Sequence, residues 1–343
     1  MTTLRRVLVI RNDKLGDFML AWPALAMLRS NLPQTRVSVL VPSYTEPLAR
    51  ACPYIDDVIV DPKLPGEWRN GQALARVLRP ACFDAVITLF SRFDTGLASW
   101  LAGIPLRYAP ATKLAQLFYN RKVRQRRSRS EKPEWAYNAD LVAALLGDMG
   151  RADPVVPPPP YLQFPAEEVQ QLRRRFVQQE SVSPSAKLVF IHSGHGGSAN
   201  NLSLGQFAEL AQCLVAKSIC HFVLTAGPGE EQQARELAAL LPGIRCSVHI
   251  SSGGLVDFAK QLQWADVFVS GSTGPLHIAG ALNCRTAAFY PRRRSASALR
   301  WQTINSEDRR LAFSPPATAA EGDMGAIDMP QTAAAIAAAF LVA

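Results

Sequence analysis

Paired cysteines are missing from this sequence. Its six cysteines (Cys52, Cys82, Cys213, Cys220, Cys246 and Cys284) are scattered through 343 residues with no C-x-x-C spacing. That excludes a disulfide-framed secreted domain and leads us to expect reduced thiols in a cytosolic protein. Histidine is scarce, with five in all. The pair His192-x-x-His195 has neither the i, i+4 spacing nor the glutamate of a helical zinc motif, so no metal site is expected. No run of about 18 apolar residues occurs, which excludes a membrane-spanning helix. The N-terminal segment MTTLRRVLVIRNDKLGD lacks the long apolar stretch and small-residue cleavage site of a signal peptide. Acidic residues fall short of basic ones, 28 against 37, for a formal charge of +9. The excess calls for an acidic partner: phosphate, carboxylate, nucleic acid or an anionic membrane surface.

What is present is core material and alternation. Apolar residues make up 48% and charged residues 19%, which argues against disorder, and the length suits two domains better than one. Short β-branched runs at 7–10, 37–41, 58–60 and 85–89 read as buried parallel strands, with helical patterns at 18–32, 45–51 and 71–78. The segment 151–165, with Pro154 and the proline run 157–160, can continue neither a helix nor a central strand and reads as a linker. Beyond a polar helix at 166–179 the alternation restarts. Strands are expected at 188–191, 221–225, 246–250, 267–270 and 286–290, and helices at 204–216, 230–241 and 256–263. Residues 329–341 are Ala-rich and helical in propensity. The expectation is an α/β protein with domains at 1–155 and 166–325 and a ligand cleft at the carboxyl ends of the strands.

Four stretches could carry chemistry. RNDKLGD at 11–17 leaves the first strand and opens the first helix. Gly16 permits a tight turn and the free N–H groups attract negative charge, so Asp17 is either a catalytic carboxylate or a helix cap. The segment lacks G-x-G-x-x-G and is not a P-loop. HSGHGGSANN at 192–201 places three glycines after a strand, as close approach to a pyrophosphate requires, or as a surface turn would show. SGSTGPLH at 270–277 leads small hydroxyl residues into a helix start, suited to phosphate oxygens or to ordinary capping. RKVRQRRSR at 121–129 packs six positive residues into nine, either a solvated loop or an anion site.

Taken in order, Asp13-x-x-Gly16-Asp17, the loop 194–201 and STGPLHIAGAL from Ser272 resemble glycosyltransferase family 9, the lipopolysaccharide heptosyltransferases, over nearly the whole chain. The resemblance implies a GT-B fold: two Rossmann-like domains facing a central cleft, with residues 326–343 forming a helix that packs back towards the first. It implies metal-independent, inverting transfer of L-glycero-D-manno-heptose from ADP-heptose to the Kdo or heptose of the inner core. The enzyme would need no cofactor and would act peripherally at the cytoplasmic face of the inner membrane. By position the catalytic base falls on Asp17, with Asp13 the nearby alternative. Donor contacts fall on Gly194, His195, Gly196, Gly197, Asn200, Asn201, Glu230, Ser272, Thr273, Gly274 and His277. The acceptor, a lipid A-Kdo core, would meet Asp13, Lys14, Arg121, Arg124, Arg126 and Arg127.

Two positions depart from the family pattern. Asn200 stands where a lysine is usual, and Ser272 where an aspartate is usual. The leaving-group charge would then fall to His277, to backbone N–H groups or to Arg292, Arg293 and Arg294, and a different nucleotide sugar becomes an alternative. A nucleic-acid-binding role has no helix-turn-helix, finger or RNP motif to support it.

Overall fold

The computed structural model describes residues 4–342 apart from 113, 195–199 and 252, and its contacts divide the chain into two units, Met1–Tyr161 and Leu162–Ala343. The division falls inside the proline-bearing segment.

Unit 1 is a six-stranded sheet of order β3-β2-β1-β4-β5-β6, with every neighbouring pair parallel. Its strands are β1 (Arg6–Ile10), β2 (Arg36–Val41), β3 (Asp57–Val60), β4 (Ala85–Thr88), β5 (Leu106–Pro110) and β6 (Arg121–Val123). The helices between them are α1 (Leu15–Met19), α2 (Trp22–Asn31), α3 (Glu46–Ala51), α4 (Glu67–Leu78), α5 (Phe93–Leu101) and α6 (Glu134–Asp148). β1 and β2 are buried on both faces, almost wholly by apolar residues, and Val9 pairs with Val39 on one side and Ile87 on the other. Leu8, Ile10, Leu40, Leu74, Leu78 and Val86 close one core layer against α4 and α5.

The single helix expected at 18–32 is two. Pro23 has no N–H to give Met19, so α1 stops and Pro23 becomes an N-terminal residue of α2, where a missing N–H costs nothing. The basic stretch is not all loop either, since its first three residues form β6 at a sheet edge. Lysine and arginine there blunt an edge that could otherwise pair with another chain.

Unit 2 repeats the plan with sheet order β12-β11-β10-β7-β8-β9, again parallel throughout. Its strands are β7 (Lys187–His192), β8 (Cys220–Ala226), β9 (Cys246–Ile250), β10 (Val267–Gly271), β11 (Thr286–Phe289) and β12 (Arg310–Phe313). The helices are α7 (Ala166–Gln179), α8 (Leu204–Val215), α9 (Glu231–Ala239), α10 (Gly254–Leu262), α11 (Gly274–Ala281) and α12 (Met329–Ile336). α8 opens with a capping box between Ser203 and Gln206. The buried face of α12, with Ala333, Ile336 and Phe340 just beyond, lies in this unit's own core beside Phe207 and Leu210 of α8. Its apolar stripe therefore serves the core of unit 2.

Each sheet reverses direction once. In unit 1 the chain runs outward through β1, β2 and β3, then returns to β4; in unit 2 it does the same at β7 and β10. At such a switch point the loops leaving the two central strands part and open a crevice at their carboxyl ends. Three of the four candidate stretches leave β1, β7 and β10, the strands at these points.

Candidate functional site

In unit 1 the crevice is built around Arg11, which follows β1 and is 3% exposed. Its N–H donates to the Leu40 carbonyl, continuing the sheet ladder and holding the side chain inward. The guanidinium then donates to three carboxylates: Nε to Asp13 (2.9 Å), Nη2 to Asp17 (2.5 Å) and Nη1 to Glu134 (3.1 Å). Asn138, one turn along α6 from Glu134, accepts from Nη1 at 3.2 Å and donates to the Leu20 carbonyl at the break between α1 and α2. Arg127 reaches the same Glu134 oxygen at 2.7 Å and lies over the Tyr137 ring. Two cations thus face three acids, a net negative cluster.

The geometry removes one reading of Asp17, that of a side-chain helix cap. The N-cap of α1 is Lys14, with no side-chain cap bond, while the Asp17 carboxylate is turned to Arg11. Burial pushes its pKa up to about 6, and Asp13 and Glu134 push the same way against the opposing Arg11 charge. A carboxylate raised towards neutrality, yet ionised above it, is a competent general base. Burial would by itself favour a neutral Arg11, but the three carboxylates overcome that and hold it charged.

The loop behind this cluster is fixed by a second buried polar network. Asn12 donates to Asp61 at 2.5 Å, Asn70 bridges Asp61 and Asp94, and Arg92 pairs with Asp94. Lys63 donates to the Asn12 carbonyl at 2.9 Å. Loops after β1, β3 and β4 are tied together in this way.

Of the residues expected to contact an acceptor, Asp13 and Arg127 join the Arg11 cluster, Lys14 is exposed at its edge, and Arg121 pairs with Asp148. Arg124 and Arg126 stay exposed and line a shallow recess with Glu131, Lys132 and Asp140. The arginine stretch is therefore divided: Arg127 supports the cluster from inside, and Arg124 and Arg126 face outward.

The crevice of unit 2 is made of small groups. A Cβ on Gly194 would lie 2.3 Å from the Glu230 carboxyl, so a side chain there would displace the acid where it crosses the loop after β7. Glu230 accepts the Gly227 N–H and lies 3.4 Å from His192, whose other ring nitrogen meets Thr225. Burial depresses the His192 pKa, with Glu230 opposing. Asn201 donates to the Ser193 carbonyl, and its amide oxygen occupies the space a Cβ on Gly271 would need, at 2.5 Å. The loop after β7 and the end of β10 are thereby locked together. Ser270 and Thr273 hydroxyls meet at 3.0 Å, and Gly274 opens α11 with Ser272 and Thr273 partly exposed beside it. Asn200 is exposed and reaches the Gly322 carbonyl at 3.5 Å. His195, Gly196 and Gly197 lie outside the described residues.

His277 lies on the inward face of α11. It is fully buried, burial lowers its pKa to about 4, and Nδ1 has no partner among the described residues. A neutral imidazole inside α11 brings no positive charge to a leaving group, although its ring N–H can still donate a hydrogen bond. In the sequence, Arg11 falls within the candidate stretch 11–17 without a role of its own, and Glu134 and Asn138 fall in none of the candidate stretches. The one available signal was a charged side chain directly abutting an apolar strand.

Two Rossmann-like units, one with a buried acid at its switch point and one with a glycine-lined helix start, define the plan of GT-B glycosyltransferases. Comparison with known proteins makes the assignment specific: the model of glycosyltransferase family 9 (heptosyltransferase) matches residues 72–312, and the chain belongs to that family. A Haemophilus influenzae protein described in general terms as a glycosyltransferase is 48% identical over 92% of this chain and 90% of its own. Lipopolysaccharide heptosyltransferase 2 of Escherichia coli K12 is 24% identical over 83% and 82%. Among solved structures, a family 9 glycosyl transferase from Veillonella parvula superposes with a TM-score of 0.82 at 17% identity, covering 100% of this chain and 99% of that one. E. coli ADP-heptose lps heptosyltransferase II gives 0.76 at 18%, covering 97% and 98%. This protein is a glycosyltransferase.

Proposed function

We propose that this enzyme is an inverting heptosyltransferase, moving L-glycero-D-manno-heptose from ADP-heptose to the Kdo or heptose of a lipopolysaccharide inner core. The observation that carries the reading is Asp17, a buried carboxylate at the unit 1 switch point with its pKa raised to about 6. On this reading Asp17 takes the proton of an acceptor hydroxyl while that oxygen attacks the anomeric carbon. The bond from that carbon to the diphosphate oxygen breaks, and ADP leaves with the bonding pair. The loops after β7 and β10 and the start of α11 are assigned to the donor, where N–H groups and hydroxyls can meet diphosphate oxygens. The names of the E. coli relatives supply the ADP-heptose assignment.

Contact with a membrane-borne acceptor at the cytoplasmic face of the inner membrane is supported by an apolar patch on unit 1. Trp68, Phe93, Phe118 and Trp100 touch in series at 5.3–6.3 Å between ring centroids. Leu114 and Leu117, 80% and 76% exposed, extend it towards the basic edge strand β6. Exposed tryptophan and leucine beside arginine and lysine suit an anionic lipid interface.

The deciding experiment offers ADP-heptose with purified Kdo-lipid A and, separately, with heptosylated core. UDP- and GDP-sugars serve as competing donors. Heptose transfer to either acceptor is the expected result. Turnover only with another nucleotide sugar would favour the alternative donor that neutral Asn200 and Ser272 allow, and no turnover with any would remove the reading.

A further inference from the structure

The donor crevice of unit 2 needs positive charge, and neither His277 nor Arg292 supplies a free one. His277 is buried and neutral. Arg292 is turned to backbone, its Nη2 donating to the carbonyls of Ala317 and Ala319 while its N–H meets Glu321. Those bonds strap the 317–322 segment to the loop after β11.

Arg293 lies against that strap at Gly322. A Cβ built on Gly322 would stand 3.0 Å from Arg293 Nη2, 3.3 Å from its Nε and 3.2 Å from Asn200 Nδ2. The guanidinium and the Asn200 amide therefore converge on one glycine, where a side chain would press on both. Arg293 is exposed, and among the described residues no carboxylate pairs with it. Asp323, next to Gly322, is turned to the Gly325 N–H. Asn201, adjacent to Asn200, is the residue wedged against Gly271 at the end of β10. Arg293 is thus joined by short links to both loops of the unit 2 switch point.

We infer that Arg293 is the cation that holds the diphosphate of a nucleoside diphosphate ligand in unit 2, with Asn200 beside it as a neutral donor and Gly322 giving the space. This rests on the donor-binding reading of that unit. An arginine fork can meet two phosphate oxygens at once, and an exposed, unpaired guanidinium gives up no ion pair to do so. Because Asn200 stands beside it, a lysine at 200 can deliver charge to the same place. The arrangement makes the phosphate clamp a product of two loops and a strap, not of one motif.

The test is calorimetric titration of the full chain with ADP, UDP, GDP and CDP, and with adenosine as the uncharged control. Variants are Arg293→Ala, Arg294→Ala as an exposed neighbour of equal charge, and Arg293→Ala with Asn200→Lys. Arg293→Ala should raise the Kd of the best nucleoside diphosphate at least tenfold. It should leave adenosine within about twofold, and the added Asn200→Lys should recover most of the loss. Arg294→Ala should stay within about threefold of wild type. Equal effects of the two alanine variants would overturn the inference while leaving the donor reading intact. Failure of the wild-type chain to bind any of the four diphosphates would overturn both. A melting curve for each variant checks folding, and Gly322→Val, which crowds Arg293 and Asn200 while keeping their charge, should weaken diphosphate binding in the same direction.

Discussion

The two sheets share one topology and put opposite chemistry at the same place in it. Where unit 1 reverses, between β1 and β4, it buries an arginine among three carboxylates. Where unit 2 reverses, between β7 and β10, it offers glycines, hydroxyls and an asparagine wedged against Gly271. A crevice at strand ends is the gift of the topology, and its use is set by a handful of side chains. A base needs a carboxylate withheld from water but kept ionisable. A phosphate site needs open N–H groups and backbone close to the ligand, which side chains would obstruct. Mutations that break one crevice should therefore leave the other working.

The sharpest separation is at Asp17. Asp17→Asn keeps the shape and removes the base, so kcat should fall about 10²–10⁴-fold while nucleoside diphosphate affinity in unit 2 stays within about twofold. Steady-state transfer assays beside calorimetry read both, and near-normal turnover would end the assignment. Wild-type rate should also follow the ionised form of Asp17. Because that form is the active one and its pKa is raised to about 6, log kcat/KM should climb with unit slope below pH about 6 and level above it. A flat profile down to pH 5 would assign the base elsewhere.

Arg11→Met should cost about 3–5 kcal/mol of stability in denaturant titration, because it strands buried carboxylates without their counter-charge. Arg11→Lys keeps a charge but not the three-way fork. Since Arg11 is what holds the Asp17 pKa down against burial, weakening it should shift the rising limb to higher pH. A limb that stays in place would show that Arg11 does not tune the base.

These two crevices were unequally legible. The loops after β1, β7 and β10 could be found because glycine and small polar residues follow short apolar runs, a pattern local in sequence. The Arg11 cluster could not be assembled the same way. Glu134 and Asn138 lie 123 and 127 positions away and are delivered by α6. The same holds for Arg293, Asn200 and Gly322, which meet only when the 317–322 strap is in place. In the fold, β1 to β4 and β7 to β11 were legible from short apolar runs, while β5, β6 and β12 were not. β6 and β12 are edge strands with charged or half-exposed residues, and β5 is broken by Arg107 and Pro110, so burial on two faces does not write the pattern.

Within unit 2, Gly194→Ala is the reciprocal of Asp17→Asn. The new methyl would meet the Glu230 carboxyl at 2.3 Å, and relief requires Glu230 to swing away from Gly227 and His192. Donor KM should rise about tenfold, roughly 1.4 kcal/mol, with the low-pH limb unchanged. A shift of that limb would mean the two crevices titrate together.

The smallest effect is expected at the patch outside both crevices. Leu114→Ser with Leu117→Ser removes two exposed leucines without touching the Arg11 cluster or the loops of unit 2. If the patch seats on lipid, co-sedimentation with phosphatidylglycerol vesicles should fall several-fold. Turnover of a water-soluble, delipidated acceptor should hold, because neither base nor donor site has changed. Adding salt to the wild type should weaken the same vesicle binding by screening Arg121 and Lys122 on β6. Loss of turnover on the soluble acceptor would instead place these leucines in acceptor binding and make the patch an extension of the unit 1 crevice.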